Sequence, residues 1–131
     1  MKVLLVNGSP HQKGCTFTAL SEVASSLNPH PFRFKPAAAV VSARRAGTTS
    51  ALDQMNKYFF HQQMPIATSR YWNMVHGNSP EEVQQDEEGL QIMRYLGRNM
   101  AWLIKLKKSG EDTGVKTPKQ EEQRLSTNFI R

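Results

Sequence analysis

The chain has 131 residues, 38% of them hydrophobic and 21% charged, with a formal net charge of +6. That is the composition of one ordinary domain, long enough to bury a core without metal or disulfide staples, and the single cysteine, Cys15, excludes an intrachain disulfide or a cysteine metal cluster. The basic residues are dispersed rather than run together, which argues against a nucleic-acid partner, and no stretch approaches the roughly 18 apolar residues of a membrane span. The apolar run Val3–Val6 is too short for the core of a secretion signal. A cytoplasmic protein with no membrane partner is the expectation.

Residues Lys2–Asn7 (KVLLVN) form an apolar run ending at the turn-prone pair Asn7-Gly8. A run polar on neither face predicts a parallel strand covered by helices on both sides. From Cys15 to Leu27 the positions Phe17, Leu20, Val23, Ala24 and Leu27 fall at helical spacing. The helix stops at Asn28-Pro29, because a residue before proline is steered away from helical geometry. The proline-rich stretch Pro29–Pro36 reads as a connector, and Ala37–Ala43 (AAAVVSA) as a second buried strand.

After a loop at Arg44–Thr49, Ser50 and Asp53 have capping-box spacing, and Leu52, Met55 and Phe59 mark the buried face of the next helix. Met64–Ser69 is a weaker strand candidate in which Pro65 suits a start or an edge, and Tyr71–Gly77 reads as an aromatic loop. Ser79-Pro80-Glu81-Glu82 opens a helix with cap, N1 proline and box glutamate. Its pattern runs on to Lys108, with Gly89 and Gly97 as points of a break or close contact. Residues 1–108 are thus expected as one domain and 109–131 as a polar tail. The alternation of strand and helix predicts an α/β fold with a parallel sheet of about three strands.

The loop Gly8–Cys15 lies at the carboxyl end of the first strand and just before a helix. Unpaired N–H groups and the positive end of the helix dipole stabilise a phosphate in such a place. Ser9 and Thr16 offer hydroxyls, and His11 and Lys13 offer charge. The spacing is neither a P-loop nor the dinucleotide fingerprint. A plain strand–helix turn with no ligand is the alternative.

KVLLVNGSPHQKGCTFTAL resembles the opening of the NAD(P)H-dependent FMN reductase family, flavodoxin-like proteins that begin with a strand, NGSP and a following G-x-T-x-x-L. KPAAAVVSARRAGTTSALDQMNKYF, YWNMVHGNSPEEV and GLQIMRYLGRNMAWL are similar to the later part of that family, so that the likeness covers most of residues 1–28 and 35–105. The resemblance implies a flavodoxin-like sheet with helices on both faces and an FMN cofactor. It also implies NAD(P)H as co-substrate, and a quinone, free flavin or other electron acceptor. Carried over, Ser9, His11, Cys15 and Thr16 line the FMN phosphate with Lys13 nearby, and Ala43, Arg44, Arg45 and Gly47 border the flavin ring. No catalytic side chain is implied, because the flavin itself carries the redox chemistry.

Five βα repeats of about 30 residues need roughly 150 residues, and the first helix here leads straight into what resembles the family's fourth strand. The segment for strands two and three is missing, and with it a ring-holding loop. The strand that begins the chain is then expected to pair directly with Ala37–Ala43, or with another subunit, and exposed apolar surface points to a homo-oligomer. Two functional expectations follow. One is an FMN-binding oxidoreductase that uses flavin and nicotinamide nucleotides. The other is a non-catalytic fragment acting by anion binding or by pairing with a full-length relative.

Cys15 near a helix start fits a small packing or phosphate-contact residue better than a reactive thiol, since no second cysteine or base accompanies it. Arg44-Arg45 suits a nucleotide phosphate or an ordinary exposed pair. His30, His61 and His76 have no metal-binding spacing.

Overall fold

The computed structural model describes residues 4–7, 32–123, 125–127 and 129, and for 4–7 the backbone alone. Among the described residues, three parallel strands lie in the order β1 (Leu4–Asn7), β2 (Ala37–Ala43) and β3 (Met74–His76). The helices among them are α1 (Thr48–His61), α2 (Pro80–Gln85) and α3 (Glu87–Asp112). The fold is α/β. The helix expected over Cys15–Leu27 lies outside the described residues.

β1 pairs with β2 from Leu4↔Ala37 to Asn7↔Val40, the first of the two pairings expected for it. β2 is the central strand, and its composition explains why. Ala37, Ala39 and Val41 face α1, packing with Leu52, Met55, Phe59 and Met64. Ala38 and Val40 face the other way, toward Leu96, Met100 and Ile104 of α3, with Ala67 completing that cluster. A run of alanines lets a helix approach closely on each face, and the helices exclude water from both sides of the strand.

The third strand differs from expectation. Met64–Ser69 contributes only one bridge, Ala37↔Ile66, and the strand itself is Met74–His76, inside the expected aromatic loop. β2 thus completes its second edge in two pieces. Ala37 N–H donates to Pro65 O (2.9 Å) and Ala67 N–H to Ala37 O (2.8 Å). Beyond a bypass at residues 68–72, Val41 N–H donates to Asn73 O (3.0 Å).

Helix boundaries also move. α1 begins at Thr48 behind Gly47, so Ser50 and Asp53 lie inside it and form no cap. It ends with Gln63 in the left-handed region (φ 54) while Met64 N–H donates to Phe59 O and Gln63 N–H to Phe60 O, both 3.0 Å. These are the paired bonds of a Schellman end, here without its usual glycine. The helix expected from Ser79 to Lys108 is two helices divided at Asp86. The second runs unbroken past Gly97 and beyond Lys108, and closes by the same bond pattern at Gly114. No helix among the described residues is long and apolar enough to cross a membrane.

Candidate functional site

Ligands of open α/β sheets bind outside the carboxyl ends of the strands, and two described loops meet there. Gly77 N–H donates to Ala43 O (3.2 Å), which ties the exit of β3 to the exit of β2. β1 is parallel to β2, and its last residue, Asn7, lies beside Val40 toward this same end of the sheet.

The first loop carries four of the expected site residues. Ala43 closes β2, half-buried, and Arg44, Arg45 and Ala46 are exposed. Gly47 turns the chain with φ 92, and nothing lies within 4 Å of where a Cβ would stand. The glycine is needed for its left-handed backbone, not for space. α1 then starts with neither a side-chain cap nor an acid in its first turn. Ala51 N–H makes the first helical bond, to Gly47 O (3.0 Å). Thr48, the nearest hydroxyl, is buried and points its Oγ1 at Met74 Sδ (3.2 Å). The positive end of α1 thus has no carboxylate in its first turn, and two exposed arginines, Arg44 and Arg45, precede it in the same loop. An oxyanion is the natural complement of that arrangement.

The second loop was not expected to take part. Asp86 holds it together: its Oδ2 accepts from His76 N–H (2.7 Å) and its Oδ1 from Gly89 N–H (2.9 Å). The Gly89 bond, then the His76 bond, holds the Asp86 carboxyl below its ordinary value of 3.8. The His76 imidazole sits 3.9 Å from the same carboxylate. Ser79 Oγ accepts from Glu82 N–H (3.4 Å) as the sequence predicts, whereas the Glu82 carboxylate reaches one residue past the cap and accepts from Asn78 N–H (2.6 Å) instead of closing the box on Ser79. Three side chains thereby fix the residues from His76 to Ser79 beside the Arg44–Gly47 loop.

Asp86→Ala is expected to cost about 1–2 kcal/mol at neutral pH, the value of a helix cap. The folded-state carboxyl lies below its unfolded value, so this stability is present above 3.8 and is lost as the pH falls through the lower folded value. Urea midpoints of the parent and Asp86→Ala should differ at neutral pH and converge in acid.

Ser9, His11, Lys13, Cys15 and Thr16 lie outside the described residues. Ala43 ends β2, and Arg44, Arg45 and Gly47 lie in the one loop that joins it to α1. His76, Gly77, Asn78 and Asp86 join them, and the signal for these was the H-G-N-S-P turn with an Asp three residues before a Gly. Among the described residues no group of three or more His, Cys, Asp or Glu side chains gathers to hold a metal ion. No family model, curated protein or solved structure matches the chain.

Proposed function

We propose that the chain binds FMN across the carboxyl end of its sheet and acts as an NAD(P)H-dependent oxidoreductase of the FMN or quinone reductase type, on a shortened flavodoxin-like fold. The observation that supports this reading is the direct parallel pairing of β1 with β2, which sets Asn7 at the end of β1 beside Val40 of the strand that leads into the Arg44–Gly47 loop. By resemblance, Ser9, His11, Lys13, Cys15 and Thr16 hold the phosphate. The uncapped start of α1 fits the electron-rich edge of a flavin ring, with Arg44 and Arg45 exposed to attract either the ring or a nicotinamide nucleotide's phosphates. Bound FMN supplies hydride acceptance from the nicotinamide and onward electron transfer; the protein supplies position and positive potential.

The same pairing favours a second reading. β1 and β2 are hydrogen-bonded with no strand between them, so no third-strand loop stands there to wall the ring. A chain that keeps the anion site and loses turnover fits that geometry.

Titration with FMN, followed by quenching of flavin fluorescence, tests the first reading. Saturable quenching is expected, weaker by about tenfold for riboflavin, which lacks the phosphate, and for the Arg44→Ala/Arg45→Ala pair. NADPH oxidation coupled to FMN or quinone separates the two readings, since the second predicts binding without turnover. Absence of quenching at high micromolar FMN would overturn the flavin assignment.

A further inference from the structure

We propose that Thr117, in the segment that follows α3, is a phosphorylation site for a proline-directed protein kinase. The chain contains three Ser/Thr-Pro pairs: Ser9-Pro10, Ser79-Pro80 and Thr117-Pro118. A kinase cleft with no acceptor opposite the residue after the hydroxyl selects proline there, because proline alone has no N–H to leave unpaired. Such a cleft also needs its substrate accessible and extended, so the fold decides which pair is usable.

Ser9 lies outside the described residues, and the fold separates the other two. Ser79 is committed to α2. Its Oγ accepts from Glu82 N–H (3.4 Å), and Pro80 is the first residue of the helix. To lie extended in a cleft, this stretch must give up that cap, the first turn of α2 and the bond from Asn78 N–H to Glu82 (2.6 Å).

Thr117 is placed differently. Beyond the end of α3, Gly114 turns the chain out of the helix with φ 85, and Val115 N–H donates to Gly110 O (2.8 Å). From Val115 to Gln120 the backbone has no regular structure and every residue is exposed. Gln120 accepts an exposed side-chain bond from Gln63 Nε2 (3.3 Å), which costs little to release to water. The segment therefore enters a cleft without unfolding a helix or opening the core.

The surroundings also tolerate the product. Thr117 lines a groove with Lys107, Glu111 and Lys116. Lys107 pairs with Glu111, and Lys116 stands outside the ion pairs of the described residues. A phosphoryl group of about −1.5 to −2 charge is thus set beside two ammonium groups and one carboxylate, a surplus of one positive charge. In the transfer, the kinase's base takes the hydroxyl proton as Thr117 Oγ1 bonds to the γ-phosphorus of ATP. The bond from that phosphorus to the β–γ bridging oxygen breaks, and ADP leaves.

Pro36 and Pro65 line the same groove, at the end of β2 away from the Arg44–Gly47 loop, so the site stands apart from the flavin reading. The test incubates the full chain with an activated mitogen-activated protein kinase and magnesium ATP, and locates the phosphate by mass spectrometry. Far-UV circular dichroism confirms that each variant is folded. Phosphate on Thr117 is expected, with Ser79 modified at least about tenfold more slowly. Thr117→Ala should remove the incorporation at this site, and Pro118→Ala should slow it about tenfold. No incorporation, phosphate on Ser9 or Ser79 at a rate equal to or above that on Thr117, or an undiminished rate in Pro118→Ala would each overturn the proposal.

Discussion

Phe59→Ala is expected to lower the unfolding free energy by about 3–5 kcal/mol, a large share of a small domain's stability. Phe59 is buried in the last turn of α1 and packs on Ala37, Ala39, Val41, Leu52, Met55 and Met64. Two of those neighbours are strand alanines, which have no side-chain freedom with which to fill the space left behind. The backbone adds a second constraint, because Phe59 O accepts from Met64 N–H at the end of the helix. Urea unfolding followed by far-UV circular dichroism reads the change. Phe60 is the internal control: adjacent in sequence and 72% exposed, its alanine variant should move stability by no more than about 0.5 kcal/mol. Equal losses at both positions would contradict the packing described.

Gly77→Ala is the second large effect. A Cβ at Gly77 would stand 2.7 Å from both Val83 Cγ2 and Val83 N, and 3.1 Å from the Glu82 carbonyl carbon. The valine side chain can turn, but the backbone of α2 cannot. Relief requires either moving α2 or breaking the bond from Gly77 N–H to Ala43 O, so a loss of about 1–3 kcal/mol is expected. Because that bond ties the two site loops together, FMN quenching should weaken in the same variant. Gly47→Ala separates space from backbone geometry. It has open space but φ 92, and should cost about 1–2 kcal/mol from the left-handed conformation alone.

Much of the sheet's centre was legible. Ala37–Ala43 reads as a strand buried on both faces, and Leu52, Met55 and Phe59 mark the side of α1 that covers one of them. Arg44–Gly47 stand at the carboxyl end of β2, in a loop tied through Ala43 O to Gly77 at the exit of β3.

The edge strand was not legible, because β2 chooses its partner through tertiary hydrogen bonds. Pro65 has no N–H to offer, yet its carbonyl accepts from Ala37. Met74-Val75-His76 is too short to show a period, although Met74 and Val75 are both buried. The division at Asp86 was missed for a different reason. A capping box expects a long polar side chain three residues after the cap, and Gly89 stands there instead. A Cβ at that position would collide with the capping carboxylate. His76 and Asp86 are ten residues apart, with α2 between them, and their bond has no local sequence pattern to announce it.

The interrupted edge has a consequence for how this chain meets other proteins. An uninterrupted outer strand would present a row of unpaired peptide groups to any passing extended segment, the usual route to runaway strand addition. Here that row is broken between Ile66 and Met74, and the intervening residues swing out along α3. Only the three residues of β3 and a single bridge remain as template, too little for a stable additional strand. On this side association is turned away from the backbone and toward side chains, where partners can be told apart.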